Sequence, residues 1–408
     1  MSDDTASEPV QFVPAVPDLI VDDTQLAVVS RQLSNDDGPI GFDTERASGF
    51  RYWQNAYLIQ LKTAATGVQL IDPVNLSTHG LAELDQAIAG KQWILHAASQ
   101  DLPSLRQAGL NPTRLFDTEL AARLLGYDHV GLGPLIEQVL GVWLAKDHAN
   151  SDWSVRPLPQ SWLSYAAGDV EFLIELADRL QKQLDDQNKS QWAKEEFEHI
   201  LTSPAPPPKV DPWRSTKDLH AVRTRRGLAL VRQLWQARED LAKDQDLSPH
   251  RIVNDRAITA VAAHIGDNGL GGAKATVART SWAHHVPRQA SQVFVDAVDA
   301  VAAMPEDELP VSRPPRREVP APGLWPRKRP EAAERWDAAR PAIKDLAEQL
   351  RLPVENLISP RPLRALLWST SSADPAVIDQ RLAELDVRPW QRELVVPVIA
   401  AAIVDLSD

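Results

Sequence analysis

Five oxygen-bearing side chains in three separated segments have the types and spacing to act on a phosphate ester. Asp43 and Glu45 lie in Gly41-Phe42-Asp43-Thr44-Glu45, Asp101 ends His96-Ala97-Ala98-Ser99-Gln100-Asp101, and Tyr165 and Asp169 bound Tyr165-Ala166-Ala167-Gly168-Asp169. In a strand the two-residue period sends Asp43 and Glu45 to one face, roughly 6–7 Å apart. On a helix the i,i+4 spacing sets Tyr165 and Asp169 one turn, roughly 5.4 Å, apart on one side. Four carboxylates in a chain without cysteine suit Mg²⁺ or Mn²⁺ far better than zinc. Two such ions about 3.5–4 Å apart are a known device for phosphodiester hydrolysis. Each residue also has a plainer reading: Asp43-Thr44-Glu45 as a turn or cap, Asp101 as the N-cap of a helix opening at Leu102-Pro103, and Tyr165 as a packed core aromatic.

These side chains need elements to hold them. Apolar runs at Gly41-Phe42, Tyr57 to Leu61, Val68 to Ile71 and Trp93 to His96 read as strands, the first three close enough for antiparallel hairpins. Apolar spacing predicts helices near 78–89, 101–108, 117–126, 131–140 and 161–187. Asp101 would open a helix just past a strand, beside the positive end of its dipole and the sheet edge where ligands collect in α/β folds. Asp117, in Phe116-Asp117-Thr118, echoes the first acidic segment but reads as a helix cap. His96 and Arg156 read as supporting or core residues.

In that order and at those intervals, Asp43-x-Glu45, Asp101 and Tyr165-x-x-x-Asp169 resemble the DEDDy family of 3′-to-5′ exonucleases. Tyr57-Leu58-Ile59-Gln60-Leu61 and Leu120 to Gly126 resemble its flanking segments, and Asp152-Trp153-Ser154-x-Arg156-Pro157-Leu158 is similar to ribonuclease D in particular. Any one motif occurs by chance in many proteins; their ordered combination is what identifies the family. The resemblance implies a ribonuclease H-like mixed-sheet exonuclease domain. It also implies that Asp43, Glu45, Asp101 and Asp169 hold two divalent ions, that Tyr165 orients the attacking water, and that Glu45 contacts the terminal ribose. The expected activity is 3′-to-5′ exoribonuclease trimming of RNA ends, tRNA precursors above all, with nucleoside 5′-monophosphates released. A DNA exonuclease would use the same residues, and a non-catalytic RNA-binding scaffold would keep only the fold.

The 408-residue chain is long enough for two or three domains. Its net charge of −13 is unevenly spread: residues 1–222 hold 17 Lys and Arg against 31 Asp and Glu, whereas 223–290 hold 11 against 6. The acidic excess thus falls on the proposed metal domain, and a separate basic module could attract a phosphate backbone. The polar, acidic N-terminus and the lack of an apolar run near 18 residues predict a cytoplasmic protein with no membrane association; a monomer is expected. Proline clusters divide the chain into an exonuclease domain with an acidic tail (1–205), a linker (206–222), a helical module (223–305), a basic linker (306–332) and a last helical domain (333–408).

From Arg226-Gly227-Leu228-Ala229 to Ile252-Val253-Asn254-Asp255 the third segment resembles an HRDC domain, and the last domain, through Leu357-Ile358-Ser359-Pro360, more faintly resembles a second copy. Arg223, Arg225, Arg226 and Lys274 are the candidate nucleic-acid contacts. Gly266 to Lys274 is glycine-rich but lacks Gly-Lys-Ser/Thr, so it reads as a loop joining helices, whose amides and Lys274 could touch a phosphate.

Overall fold

A computed structural model describes residues 10–406, apart from 145–147, 149, 205, 206, 280, 313–318 and 371. The acidic tail before residue 10 and part of the basic linker lie outside the described residues. The chain forms two compact units. One comprises Met1–Glu45, Ala56–Ser203 and Arg317–Asp408, the other Arg46–Asn55 and Pro204–Arg316.

The first unit is built on a mixed sheet. In chain order the strands are β1 (Val10–Gln11), β2 (Leu19–Ile20), β3 (Ile40–Arg46), β4 (Ala56–Thr63), β5 (Gly67–Ile71), β6 (Gln92–Leu95), β7 (Arg114–Asp117) and β8 (Val142–Trp143). Six of them form one sheet in the order β2-β5-β4-β3-β6-β7, and β1 pairs with β8. β4 and β5 make an antiparallel hairpin, as the closeness of their apolar runs predicts, whereas β6 runs parallel to both β3 and β7. β3 and β4 are almost wholly buried, as central strands covered on both faces must be. Phe42 stacks flat on Trp93 of β6, ring centroids 4.1 Å apart. Burying a side chain of that size stabilises by about 1.5–3 kcal/mol.

The helix expected over 161–187 is two helices, Gln160–Glu171 and Leu173–Asp186, parted at Phe172 (φ −109°, ψ 4°). The C-terminal helices Pro330–Gln349, Pro360–Ser369 and Pro389–Ile403 were expected as a separate domain, but they share one apolar core with the sheet. Trp390 stacks on Trp192 at 4.9 Å, and its indole N–H donates to buried Glu196 at 2.9 Å. Arg388 pairs with the same carboxylate at 2.7 Å. Lys189, also buried, donates its ammonium to the carbonyls of Leu124 (2.8 Å) and Leu350 (3.1 Å). Gly126 caps the Thr118–Leu125 helix at φ 83°, and a Cβ there would lie 2.4 Å from the Arg351 carbonyl oxygen, so only glycine fits this junction.

The second unit has its own core around Leu230, Leu234, Ile252, Ile258, Phe294 and Val298. Its long helix, Arg225–Gln245, packs on Gln292–Ala303 and Asp255–Ala263. The glycine-rich stretch is not an open loop. It lies in the Ile265–Val277 helix, which breaks at Gly269 (φ 58°, ψ −174°). Among the described residues no helix is long and apolar enough to cross a membrane.

Candidate active site

The alternation of β3 decides which of its side chains meet. Phe42 and Thr44 take one face, Thr44 donating its hydroxyl to the Leu58 carbonyl of β4 at 3.0 Å. Gly41, Asp43 and Glu45 take the other. Over that face passes the junction of the two helices Gln160–Glu171 and Leu173–Asp186. A Cβ on Gly41 would lie 3.2 Å from Leu173 Cβ and 3.4 Å from the Val170 carbonyl oxygen. The missing side chain therefore lets the helix come down on the strand, and Asp169 comes with it.

The carboxylate oxygens of Asp43, Glu45 and Asp169 lie within 4.8 Å of one another. Tyr165, one turn before Asp169, donates its hydroxyl to that carboxylate. Burial, and then the charge of Asp43, push Asp169 well above the usual carboxylate range. Burial, with the charges of Asp169 and Glu45 behind it, pushes the Tyr165 phenol up, so it stays protonated. Three negative oxygens held this close repel one another unless cations stand among them. An all-oxygen set fits hard divalent ions. Beside Tyr165 and Asp169 opens a cleft of about 190 Å³, lined by Pro14, Leu144, His148, Ser161 and Ser164 among others.

Asp101 is buried at the N-cap position of the Leu102–Gln107 helix, yet its side chain makes no capping hydrogen bond. Only its carbonyl serves the helix, accepting from the Ser104 hydroxyl (2.8 Å) and the Leu105 amide (3.0 Å). It stands outside the three-carboxylate group. Asp117 is the cap that its sequence suggests: its carboxylate accepts the amides of Glu119 and Leu120 and, across the strand ends, those of Ala97 and Ala98 at 2.8–3.1 Å. Burial still outweighs these bonds and raises Asp117 to about 6. His96 meets the Thr118 hydroxyl at 2.9 Å, and burial pushes the imidazole down to about 4.

Sequence reading overlooked the fastening of the segment that leads into the Tyr165 helix. Arg156 grips buried Asp72 through two contacts (2.6 and 2.7 Å) and donates to the Tyr57 carbonyl at 2.7 Å. Trp153, fully buried, then packs on Trp162 at 5.2 Å and Tyr165 at 6.4 Å. Asp72 ends an apolar strand in Val68-Gln69-Leu70-Ile71-Asp72, the one available signal, since a carboxylate entering a core needs a partner.

In the second unit, three of the four candidate cations make contacts within the protein. Arg225 donates to the carbonyls of Leu309 (2.6 Å) and Pro310 (3.2 Å), Arg226 pairs with Glu306 (2.6 Å), and Lys274 pairs with Asp299 (2.6 Å). Arg223 is exposed.

Three family models match: one described as a 3′-5′ exonuclease over residues 17–185, one as a 3′ to 5′ exonuclease C-terminal domain over 318–403, and the HRDC domain over 227–266. The ribonuclease D of Bartonella henselae is 29% identical over 248 residues, 60% of each chain, so the match covers only part of that relative's length. That of Acidiphilium cryptum is 30% identical over 314 residues, 75% of this chain and 78% of its own. The crystal structure of Escherichia coli RNase D, described as an exoribonuclease involved in structured RNA processing, superposes over 95% of this chain and 98% of its own, with a TM-score of 0.68 at 25% identity. A ribonuclease H-like mixed sheet with a clustered acidic site, an HRDC match and an alignment across three quarters of a relative converge on one conclusion: this chain belongs to the ribonuclease D family.

Proposed function

We propose that this protein trims RNA from the 3′ end, tRNA precursors and other structured RNAs with a short free 3′ end being its substrates, and releases nucleoside 5′-monophosphates. The observation that carries the reading is the convergence of Asp43, Glu45 and Asp169 within 4.8 Å, with Tyr165 hydrogen-bonded to the last. Asp43, Glu45 and Asp169, joined by Asp101, are the ligands assigned to two Mg²⁺ or Mn²⁺ ions. Bound ions would supply charge neutralisation at the scissile phosphate and activation of water.

The chain's own groups do the positioning. Tyr165 keeps its proton and donates it in a hydrogen bond to Asp169, which leaves the phenol oxygen's lone pairs to accept a hydrogen bond from the attacking water. A protonated phenol orients and does not act as the base. Glu45, at the end of β3, is assigned to the terminal ribose hydroxyl, which would confine cutting to the strand end. The Arg156–Asp72 pair and the Trp153 packing hold the Tyr165 helix in register with β3, and a displacement of about 1 Å in such a constellation can slow a reaction by about 10²-fold.

The test is to incubate the full chain with 5′-labelled RNA in Mg²⁺ or Mn²⁺. A ladder shortening from the 3′ end, abolished by chelator and slower on a matched DNA oligomer, is the expected result. Internal cuts, or no cutting with either metal, would overturn the reading.

A further inference from the structure

We propose that Trp53 is a stacking platform for an unpaired nucleobase of the RNA strand, a site distinct from the carboxylate cluster. The proposal rests on the exoribonuclease reading and deepens it. Residues Arg46–Asn55 join β3 to β4 but belong to the second unit, with the HRDC-matched region.

Trp53 is 47% exposed, whereas Trp93, Trp153, Trp325 and Trp390 are fully buried. Exposure on a loose loop would mean little, but this loop is fastened. The backbone amides of Tyr52 and Trp53 both donate to one oxygen of Asp246 at 3.1 Å, and the Arg51 guanidinium stands 4.0 Å from the other. Asp246 itself closes the Arg225–Gln245 helix in a left-handed conformation (φ 45°). The Ser248 amide donates to the Phe50 carbonyl at 2.9 Å, and the Arg251 guanidinium lies 4.7 Å from the Phe50 ring. The fold thus holds an indole in water on a fastened backbone and gives up the burial that Trp93, Trp153, Trp325 and Trp390 gain.

The surroundings say what the ring is for. Trp53 meets Tyr52 edge to face, centroids 5.1 Å apart at 81°, and the Lys243 ammonium lies 5.9 Å from the Tyr52 ring. A single exposed indole two residues from Arg51, its Tyr52 neighbour facing Lys243, is a poor hydrophobic docking patch for a protein, which needs contiguous apolar area. It suits a single-stranded nucleic acid, whose bases stack on aromatic faces without regard to sequence while cations meet the phosphates. The loop is also the direct covalent continuation of the strand that carries Asp43 and Glu45. None of the four cations named from sequence is part of this platform.

The test uses the full-length Asp43→Asn chain, so that RNA is bound without being consumed, and measures affinity for 5′-fluorescent single-stranded RNA oligomers at fixed salt. Trp53→Ala should weaken binding by about 10-fold, and Trp53→Phe by less, within the range for one stacked base. An abasic scan along the oligomer should find one position whose base contributes to binding when Trp53 is present and contributes nothing in Trp53→Ala. Equal affinity of the Trp53 and Trp53→Ala chains, or abasic penalties that persist unchanged in Trp53→Ala, would overturn the platform. Failure of the wild-type chain to trim the same RNA would overturn the exonuclease reading instead, and the binding measurements would still judge Trp53.

Discussion

At the scale of single residues, the site is defined by charge and by one hydroxyl. Asp43→Asn or Asp169→Asn keeps volume and removes a ligand charge, so hydrolysis should fall by about 10³-fold or more, equivalent to about 4 kcal/mol of transition-state stabilisation. Turnover close to wild type in either folded variant would show the site misassigned. Tyr165→Phe deletes only the hydroxyl. Single-turnover cleavage should slow by about 10²-fold with metal binding retained, and an unchanged chemical step would leave the ring a packing role. His96 gives a pH signature unconnected with the metal ligands. Its imidazole titrates near 4 when folded, against 6.5 for an exposed histidine. Between those values the unfolded chain binds the extra proton, so His96 costs stability as pH falls from about 6.5 to 4. Asp117, raised to about 6, has the opposite sign over about 4–6, because there the folded state binds the extra proton. His96→Gln removes only the first effect. Denaturant unfolding at pH 5 and pH 7 should show the variant losing less stability on acidification than wild type, and an equal loss would mean that His96 is not buried as described.

At the scale of elements, the catalytic geometry depends on how closely a helix lies on a strand. Gly41→Val would put a branched side chain where Leu173 and the Val170 carbonyl already stand. Overpacking of this kind costs about 1–3 kcal/mol. It should also lift Asp169 away from Asp43 and Glu45, so turnover should drop with every ligand still in place. A lower denaturant midpoint with unchanged turnover would show that the sheet absorbs the strain without moving the site. The strands were largely legible because β-branched and aromatic runs with short turns are local signals: β4 and β5 fall where Tyr57 to Leu61 and Val68 to Ile71 place them. The edge strands β2 and β7 were not, Leu19–Ile20 being too short to show a period and Arg114–Asp117 running straight into a helix.

At the scale of the whole molecule, the boundary near residue 205 marks a change of unit but not an independent exonuclease. Every proposed ligand lies within residues 1–205, but chemistry needs those residues to stay folded. Those residues would lose the stacking of Trp390 on Trp192, the Arg388 partner of buried Glu196 and the Leu350 acceptor of Lys189. Leaving one partner of a buried charge pair uncompensated costs about 3–5 kcal/mol. A chain ending at residue 205 should therefore aggregate or melt well below full length, as gel filtration and thermal denaturation would report. A truncated protein with full-length stability would mean that the shared core contributes little.

The ordered acidic segments, their periodicities and the proline breaks are properties of the sequence itself, because side-chain direction in a strand or helix follows from backbone geometry within a few residues. That is why Asp43 with Glu45, and Tyr165 with Asp169, could be paired on paper, and why Asp117 could be read as a cap. Tertiary structure decided what local spacing cannot encode. It brought Asp169 within 4.8 Å of Asp43 and Glu45 and left Asp101 outside that group. It used Arg225, Arg226 and Lys274 for internal contacts, and it fastened Tyr52 and Trp53 to Asp246, far along the chain. It also merged the C-terminal helices with the sheet's core. An amphipathic face states that it must be buried but not against what, and a charged side chain states its sign but not its partner; both are settled only when segments distant in sequence compete for the same space.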